Sequence, residues 1–324
     1  MKRAFYILFI TLFSFSKHYA QDPQFSQFYS NPLYLGPSFA GAVEGSRIAA
    51  TYRNQWWDIN VPFYAYSFSY DHYFSTFNSG LGIQAVKDVA GTSSLGSMNI
   101  GVMYSYNFQV FNVWHVRPGI SFHYLQHGLD GDLLFLDQII HASATSTSAP
   151  IQTRDYARDI DAGASLIVYT VKFWSGFTVD HMLTPNITLY ATEATVPVKI
   201  SIYGGYEFAR RGKLLKPSDE TMTFAFMYKQ QARVKQLDLG VYWHKYPLVL
   251  GLWYRGIPII NSHRGDAIVF LAGIKTRQFN IGYSYDFTIS NLLLETRGSH
   301  EISTSFKFLL PRRTKLGRVP CPEF

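Results

Sequence analysis

Phe279-Asn280-Ile281-Gly282-Tyr283-Ser284-Tyr285-Asp286-Phe287-Thr288-Ile289-Ser290 alternates large apolar side chains with small or polar ones at every step. Successive side chains of a β-strand point to opposite faces, so the stretch reads as a strand with one aromatic face and one small polar face. The period of two recurs. Tyr64, Tyr66, Phe68 and Tyr70 alternate with Ala65, Ser67, Ser69 and Asp71, and Met98, Ile100, Val102, Tyr104, Tyr106, Phe108 and Val110 alternate with Asn99, Gly101, Met103, Ser105, Asn107 and Gln109. Fourteen runs of this kind are predicted as strands: 47–57, 64–75, 80–90, 95–110, 114–127, 159–170, 172–182, 196–209, 221–231, 234–245, 248–256, 266–277, 279–290 and 299–308. An even number of strands of roughly 9 to 11 residues matches a bacterial transmembrane β-barrel.

Composition separates that barrel from a soluble β-sandwich. Of 324 residues, 17% are aromatic and only 16% charged, and the single Cys excludes a disulfide framework or a Cys-rich zinc site. The outer face of a soluble sandwich carries many Lys and Glu, whereas here the polar face is mostly Ser, Gly, Asn, Thr and Ala. Such a face suits a barrel lumen, with the rings turned to the lipid bilayer. Trp56, Trp57, Trp114, Trp174 and Trp243 lie near strand ends, where interfacial aromatic girdles are expected.

Residues 1–20 have a basic start, an apolar run of about a dozen residues and a small residue at Ala20, the order of a Sec-type secretory signal. No other stretch approaches the roughly 20 apolar residues of a transmembrane helix. Loss of Lys2, Arg3 and Lys17 lowers the formal charge from +7 to +4, and no nucleic-acid partner is expected. The long connections, 128–158, 183–195, 257–265 and 291–298, each follow an odd-numbered strand, as outer loops do when both termini are periplasmic. Arg210 to Glu220 is a longer basic exception. The expected organisation is a signal peptide (1–20), a periplasmic plug or cap segment (21–46), an all-β, antiparallel, up-and-down outer-membrane barrel (47–310) and a basic periplasmic tail (311–324).

Strand parity points twelve charges inward: Arg53, Asp71, Asp88, Arg117, Asp161, Lys199, Glu207, Asp238, Arg255, Asp286, Glu301 and Lys307. A selective pore lines its constriction with one sign, so this mixture favours paired charges in a narrow or plugged lumen. The tail carries Arg312, Arg313, Lys315 and Arg318 against Glu323, which makes it either a partner contact, together with Cys321 and Phe324, or a solvated end.

Motifs of catalytic or cofactor chemistry are weak. Gly80-Leu81-Gly82-Ile83-Gln84-Ala85 fits a dinucleotide pattern but runs on as a strand where a helix is required. His123 and His127, four apart on a strand, stand roughly 13 Å from one another, too far to share a zinc ion. Asp130, Asp132 and Asp137 lack the spacing of a calcium loop. No metal and no cofactor are expected.

Asp22-Pro23-Gln24-Phe25-Ser26-Gln27-Phe28 with Asn31-Pro32, Pro37 to Gly41, Tyr52-Arg53-Asn54-Gln55-Trp56, Asp88 with Gly91, and Phe135-Leu136-Asp137-Gln138 resemble segments of the PorP/SprF family of Bacteroidetes outer-membrane proteins. Trp253-Tyr254-Arg255-Gly256, Gly282 to Phe287, Gly298 to Ser303 and the closing Cys321-Pro322-Glu323-Phe324 continue the match. Gly36-Pro37 departs from an expected Asn-Pro. The resemblance implies a noncatalytic role in type IX secretion and gliding motility, with periplasmic and outer-membrane secretion components and a secreted adhesin-like substrate as partners. Arg53, Asp88, Arg255, Asp286 and Glu301 sit in these motifs. With Arg117 and Asp161 they form the expected lumen charge network. A transport channel and a barrel hydrolase are the alternative classes.

Overall fold

The computed structural model describes residues 22–58, 63–91, 95–111, 113–129, 156–189, 195–209, 220–257, 266–289 and 297–308. The signal sequence, the acidic loop with Asp130, Asp132 and Asp137, and the tail with Arg312, Arg313, Lys315, Arg318, Cys321 and Phe324 lie outside them. Among the described residues, fourteen antiparallel strands form the wall. They are β1 (Ser46–Gln55), β2 (Phe63–Phe74), β3 (Ser79–Ala90), β4 (Leu95–Tyr106, resuming at Phe108–Val110), β5 (Trp114–Leu129), β6 (Tyr156–Tyr169) and β7 (Phe173–Asp180). Then come β8 (Lys199–Ala209), β9 (Glu220–Gln231), β10 (Val234–Lys245), β11 (Leu248–Arg255), β12 (Ala267–Lys275), β13 (Phe279–Thr288) and β14 (Ser299–Phe308). Each strand pairs with its sequence neighbours, and β14 pairs with β1 from Ser46↔Phe308 to Gln55↔Ser299, which closes the barrel. The predicted 95–110 strand is interrupted at Asn107, whose amide turns to the carbonyl of Asn78 (2.8 Å).

Alternation sets the faces as the sequence predicts. On β13, Phe279, Ile281, Tyr283 and Phe287 are exposed to the lipid side, while Asn280, Ser284 and Asp286 are buried inside. Closure by strands leaves no backbone edge to hydrogen-bond in the hydrocarbon layer. The strand ends that flank four of the longer connections, 130–155, 181–198, 256–266 and 289–298, lie at one end of the barrel, here called the long-loop end, and those that flank 210–219 lie at the other, here called the short-turn end.

Residues 22–45 run through the lumen before β1 begins. They carry a short helix, α1 (Pro32–Leu35), and a 3-10 turn at Pro37–Phe39. The path differs from the predicted placement of both termini on one side. Asp22 lies among Asp161, His181 and Lys199 at the long-loop end, whereas Phe308 ends at the opposite, short-turn end. The first and last described residues therefore stand at opposite ends of the barrel. The physical reason is that the polar start of the segment finds its charged partners on the far side of the lumen from β1.

The lumen also holds one ring that the girdle reading placed outside. Trp174 is fully buried, in edge contact with Tyr29 (5.5 Å between centroids), so it faces inward and not toward the lipid interface. Phe28 stands edge-on to Trp253 at 5.0 Å, and Tyr29 to Tyr242 at 5.4 Å. Trp57 and Trp114 remain exposed. Two glycines make room for the inner rings. A Cβ on Gly240 would fall 2.1 Å from the Trp253 ring, and one on Gly205 would fall 2.8 Å from Trp174 Nε1. Gly80 of the dinucleotide-like run lies in β3 and serves contact: a Cβ there would meet the Ala40 carbonyl at 2.0 Å.

Candidate functional site

The inner segment is held by three separate polar clusters. The first centres on Ser26. Its Oγ donates to Asp286 Oδ2 (2.7 Å) and accepts from Arg53 Nη1 and Arg255 Nη2 (both 2.5 Å), so the hydroxyl's donor and both lone pairs are used. The backbone N–H groups of Ser26 and Gln27 donate to the two oxygens of Glu301 at 2.7 and 2.8 Å. Arg53 bridges Asp286 (2.8 Å) and Glu301 (3.2 Å), and Arg255 reaches Asp286 at 3.0 Å. Two guanidiniums thus balance two carboxylates. Charges removed from water persist only when paired and hydrogen-bonded in this way.

The second cluster surrounds Asp22. Lys199 Nζ lies 2.6 Å from it and 3.1 Å from Asp180. His181 stands between two carboxylates, with Nε2 3.0 Å from Asp22 and Nδ1 2.7 Å from Asp161. Burial opposes ionisation of both Asp22 and His181, and their partners outweigh it. Lys199 and His181 hold the Asp22 carboxyl well below the usual carboxylate range. Hydrogen bonds to Asp161 and Asp22 raise the His181 imidazole to about 9. At neutral pH His181 is an imidazolium that donates from both nitrogens.

The third cluster lies near the short-turn end. Arg47 pairs with Asp71 through Nε (2.9 Å) and Nη2 (3.1 Å), and Asp71 also accepts the Gly41 N–H at 2.9 Å. Arg117 donates to the Ala40 carbonyl (2.5 Å) and to Ser105 Oγ (2.9 Å).

Of the seven residues expected in one network, Arg53, Arg255, Asp286 and Glu301 come together. Asp161 belongs to the Asp22 cluster, and Arg117 holds the other end of the segment. Asp88 has no hydrogen-bond or ion-pair partner among the described residues and lines a cavity. Sequence reading missed Asp22, Ser26, Arg47 and His181. Arg47 was within reach, since it shares the parity of Arg53 on β1 and is likewise buried. The other three lie outside strands, where no periodicity assigns a face.

Comparison with known proteins places these clusters in context. The family model described as type IX secretion system membrane protein PorP/SprF matches residues 17–306. No curated protein sequence matches the chain. Among solved structures, the TodX deltaS2S3 mutant monoaromatic hydrocarbon channel aligns at TM-score 0.50 with 11% identity, covering 85% of this chain and 92% of that one. A Pseudomonas aeruginosa FadL homologue aligns at 0.48 with 9% identity over 90% and 100%, and Acinetobacter baumannii Omp33 at 0.44 with 10% identity over 83% and 100%. At these identities the likeness is one of fold.

Proposed function

Because the chain belongs to the PorP/SprF family of type IX secretion system membrane proteins, we propose that it is a noncatalytic outer-membrane scaffold that assists export or surface attachment of secreted substrates. In this reading the barrel does not work as an open pore. The observation that carries it is the occupation of the lumen by residues 22–45, tied to the wall by the ion pairs of Asp22 and the hydrogen bonds of Ser26 toward the long-loop end, and by hydrogen bonds to Ala40 and Gly41 near the short-turn end. A mixed-charge, filled interior supports a structural role for Arg53, Arg255, Asp286 and Glu301 and gives no single-sign lining for ion selection.

Contact with the secretion machinery is assigned to the tail that follows β14, through Arg312, Arg313, Lys315, Arg318, Cys321 and Phe324. A stretch so basic belongs outside the hydrocarbon layer, and the short-turn end from which it leaves is the periplasmic side by loop length. Affinity capture of the intact protein from native membranes tests this reading. Secretion components or a large exported protein are expected to co-purify, and to be lost when residues 311–324 are removed. Recovery of the barrel alone refutes the scaffold role. Large, steady conductance of the full-length protein in planar bilayers refutes the closed lumen.

A further inference from the structure

The lipid-facing side of β1 to β6 is almost free of charge. Among the described residues that point outward there by strand parity, only Lys87 on β3 and Arg158 on β6 carry a formal charge, and both are exposed. They belong to one cross-strand row. Lys87 pairs with Met98 on β4, Met98 with Gln126 on β5, and Gln126 with Arg158. Three strand spacings of about 4.8 Å set the two backbones roughly 14 Å apart. Counted from the short-turn ends at Ser79 and Tyr169, Arg158 stands farther up its strand than Lys87 does, so the row climbs toward β6. The long Lys87 stem lets its ammonium rise along the surface to the same headgroup layer. Neither cation has a carboxylate in ion-pair contact among the described residues, and the Arg158 guanidinium lies 5.9 Å from the Tyr156 ring centroid.

Directly beneath Lys87 a groove of about 420 Å³ opens on the lipid side. Ala85 forms its floor on β3, and in register it stands between Phe68 and Ile100, both large and exposed. Ala50 continues the floor on the far side of Phe68, and Tyr66 and Met98 flank Lys87 at the upper rim. Small residues between large ones leave a channel of the width of a hydrocarbon chain, and it begins where the cation stands.

A cation turned to lipid is costly in hydrocarbon and costs little at the interface, where an anionic headgroup is its counter-ion. Loop length places this end of the barrel in the outer leaflet. We propose that the row from Lys87 to Arg158 binds a phosphorylated glycolipid of that leaflet, one phosphate on each cation, the sugar hydroxyls toward Gln126, and one acyl chain in the groove over Ala85. Two phosphates held apart by a disaccharide suit cations separated by three strands, whereas a headgroup with a single phosphate engages one of them. The site lies outside the wall, so it depends neither on the secretion reading nor on the filled lumen.

Native mass spectrometry of the full-length, delipidated protein in detergent tests it, with diphosphoryl lipid A, monophosphoryl lipid A, cardiolipin and phosphatidylglycerol as probes. Diphosphoryl lipid A is expected to bind most tightly, and removal of one phosphate to weaken it about fivefold, the share of one basic side chain at a charged lipid surface. Lys87→Gln and Arg158→Gln are each expected to lose a similar factor, and the double variant to bind the two lipid A forms alike. Ala85→Phe fills the groove and is expected to weaken both forms. Lys245→Gln, exposed at the short-turn end of β10, is the unchanged control. The proposal is overturned if the wild type binds the two lipid A forms equally, if cardiolipin or phosphatidylglycerol matches diphosphoryl lipid A, or if the double variant binds like the wild type. A loss in Lys245→Gln as large as in Lys87→Gln marks general surface charge and also overturns it. If a variant fails to assemble, the ratio of the two lipid A forms on the wild type decides alone.

Discussion

Arg53 on β1 donates to Asp286 on β13 at 2.8 Å, reaching over β14, which lies between them. Each is almost completely buried, and Ser26 of the inner segment touches both. The contact therefore joins three parts of the chain that are remote in sequence.

Arg53→Ala strips Glu301 of a cation and leaves Asp286 with Arg255 alone. Breaking a buried pair by removing one partner costs about 3–5 kcal/mol, and the remaining arginine places this loss toward the lower end. The check is the unfolding midpoint of the detergent-solubilised barrel, read as heat-modifiable migration on gels. Arg53→Lys keeps the charge but loses the forked geometry, so it is expected to fall between wild type and alanine. A midpoint unchanged in Arg53→Ala would sink this account.

The Asp22 cluster gives the inner segment a pH window. His181 has a folded value of about 9 against an ordinary 6.5, so its contribution is complete below about 6.5 and disappears as pH rises through 9. Asp22 is depressed below its ordinary 3.8, so its contribution is complete above 3.8 and fades as pH falls further. Protease sensitivity of residues 22–45 is expected to be lowest between roughly pH 4 and 6.5 and to rise toward pH 9. His181→Gln should flatten the alkaline rise while leaving the acid limb. An alkaline rise that persists in His181→Gln would show that another group causes it.

Gly240→Ala is expected to destabilise by about 1–3 kcal/mol, the usual cost of overpacking, because the added methyl would lie 2.1 Å from the Trp253 ring. Trp253→Leu in the same chain removes the clash. The double variant should then lose less than the two single losses combined, a non-additivity expected of touching residues. Simple additivity would mean the glycine serves some other purpose.

Epitopes placed immediately before Asp22 and after Phe308 are expected to be reachable from opposite faces of the outer membrane. Antibody binding to intact cells compared with opened cells reads this directly. Loop length assigns the long-loop end to the outside, so the epitope before Asp22 is the one expected to be exposed on intact cells. Equal behaviour of the two tags would contradict the threaded path of the segment.

Strand number, strand order and the inward face were legible because all three follow from a period of two that lipid enforces on one side and a polar lumen on the other. Asp286 and Arg53 could be placed inside for that reason alone. Grouping was not legible, because proximity around a barrel depends on tilt and stagger, which no single strand reveals. Asp161 and Asp286 have the same parity yet belong to different clusters. Trp174 was misplaced for a related reason: nearness to a strand end suggests a girdle, but the small inward residue beside it, Gly205 on the neighbouring strand, is visible only once the register is known. Ser26 and His181 lie in irregular backbone and gave no periodic signal.

Glu301 belongs to the last strand and Arg53 to the first, and their contact spans 248 residues of chain. Ser26 and Gln27 close on Glu301 across 275 and 274 residues. Contacts of such sequence separation form late, after the chain entropy of a very large loop has been lost. A half-assembled sheet with β1 and β14 apart has no complete binding site for the inner segment. The meeting of β1 and β14 therefore completes the site that holds Ser26 and Gln27, and from that point the segment acts as a clasp on the closed ring.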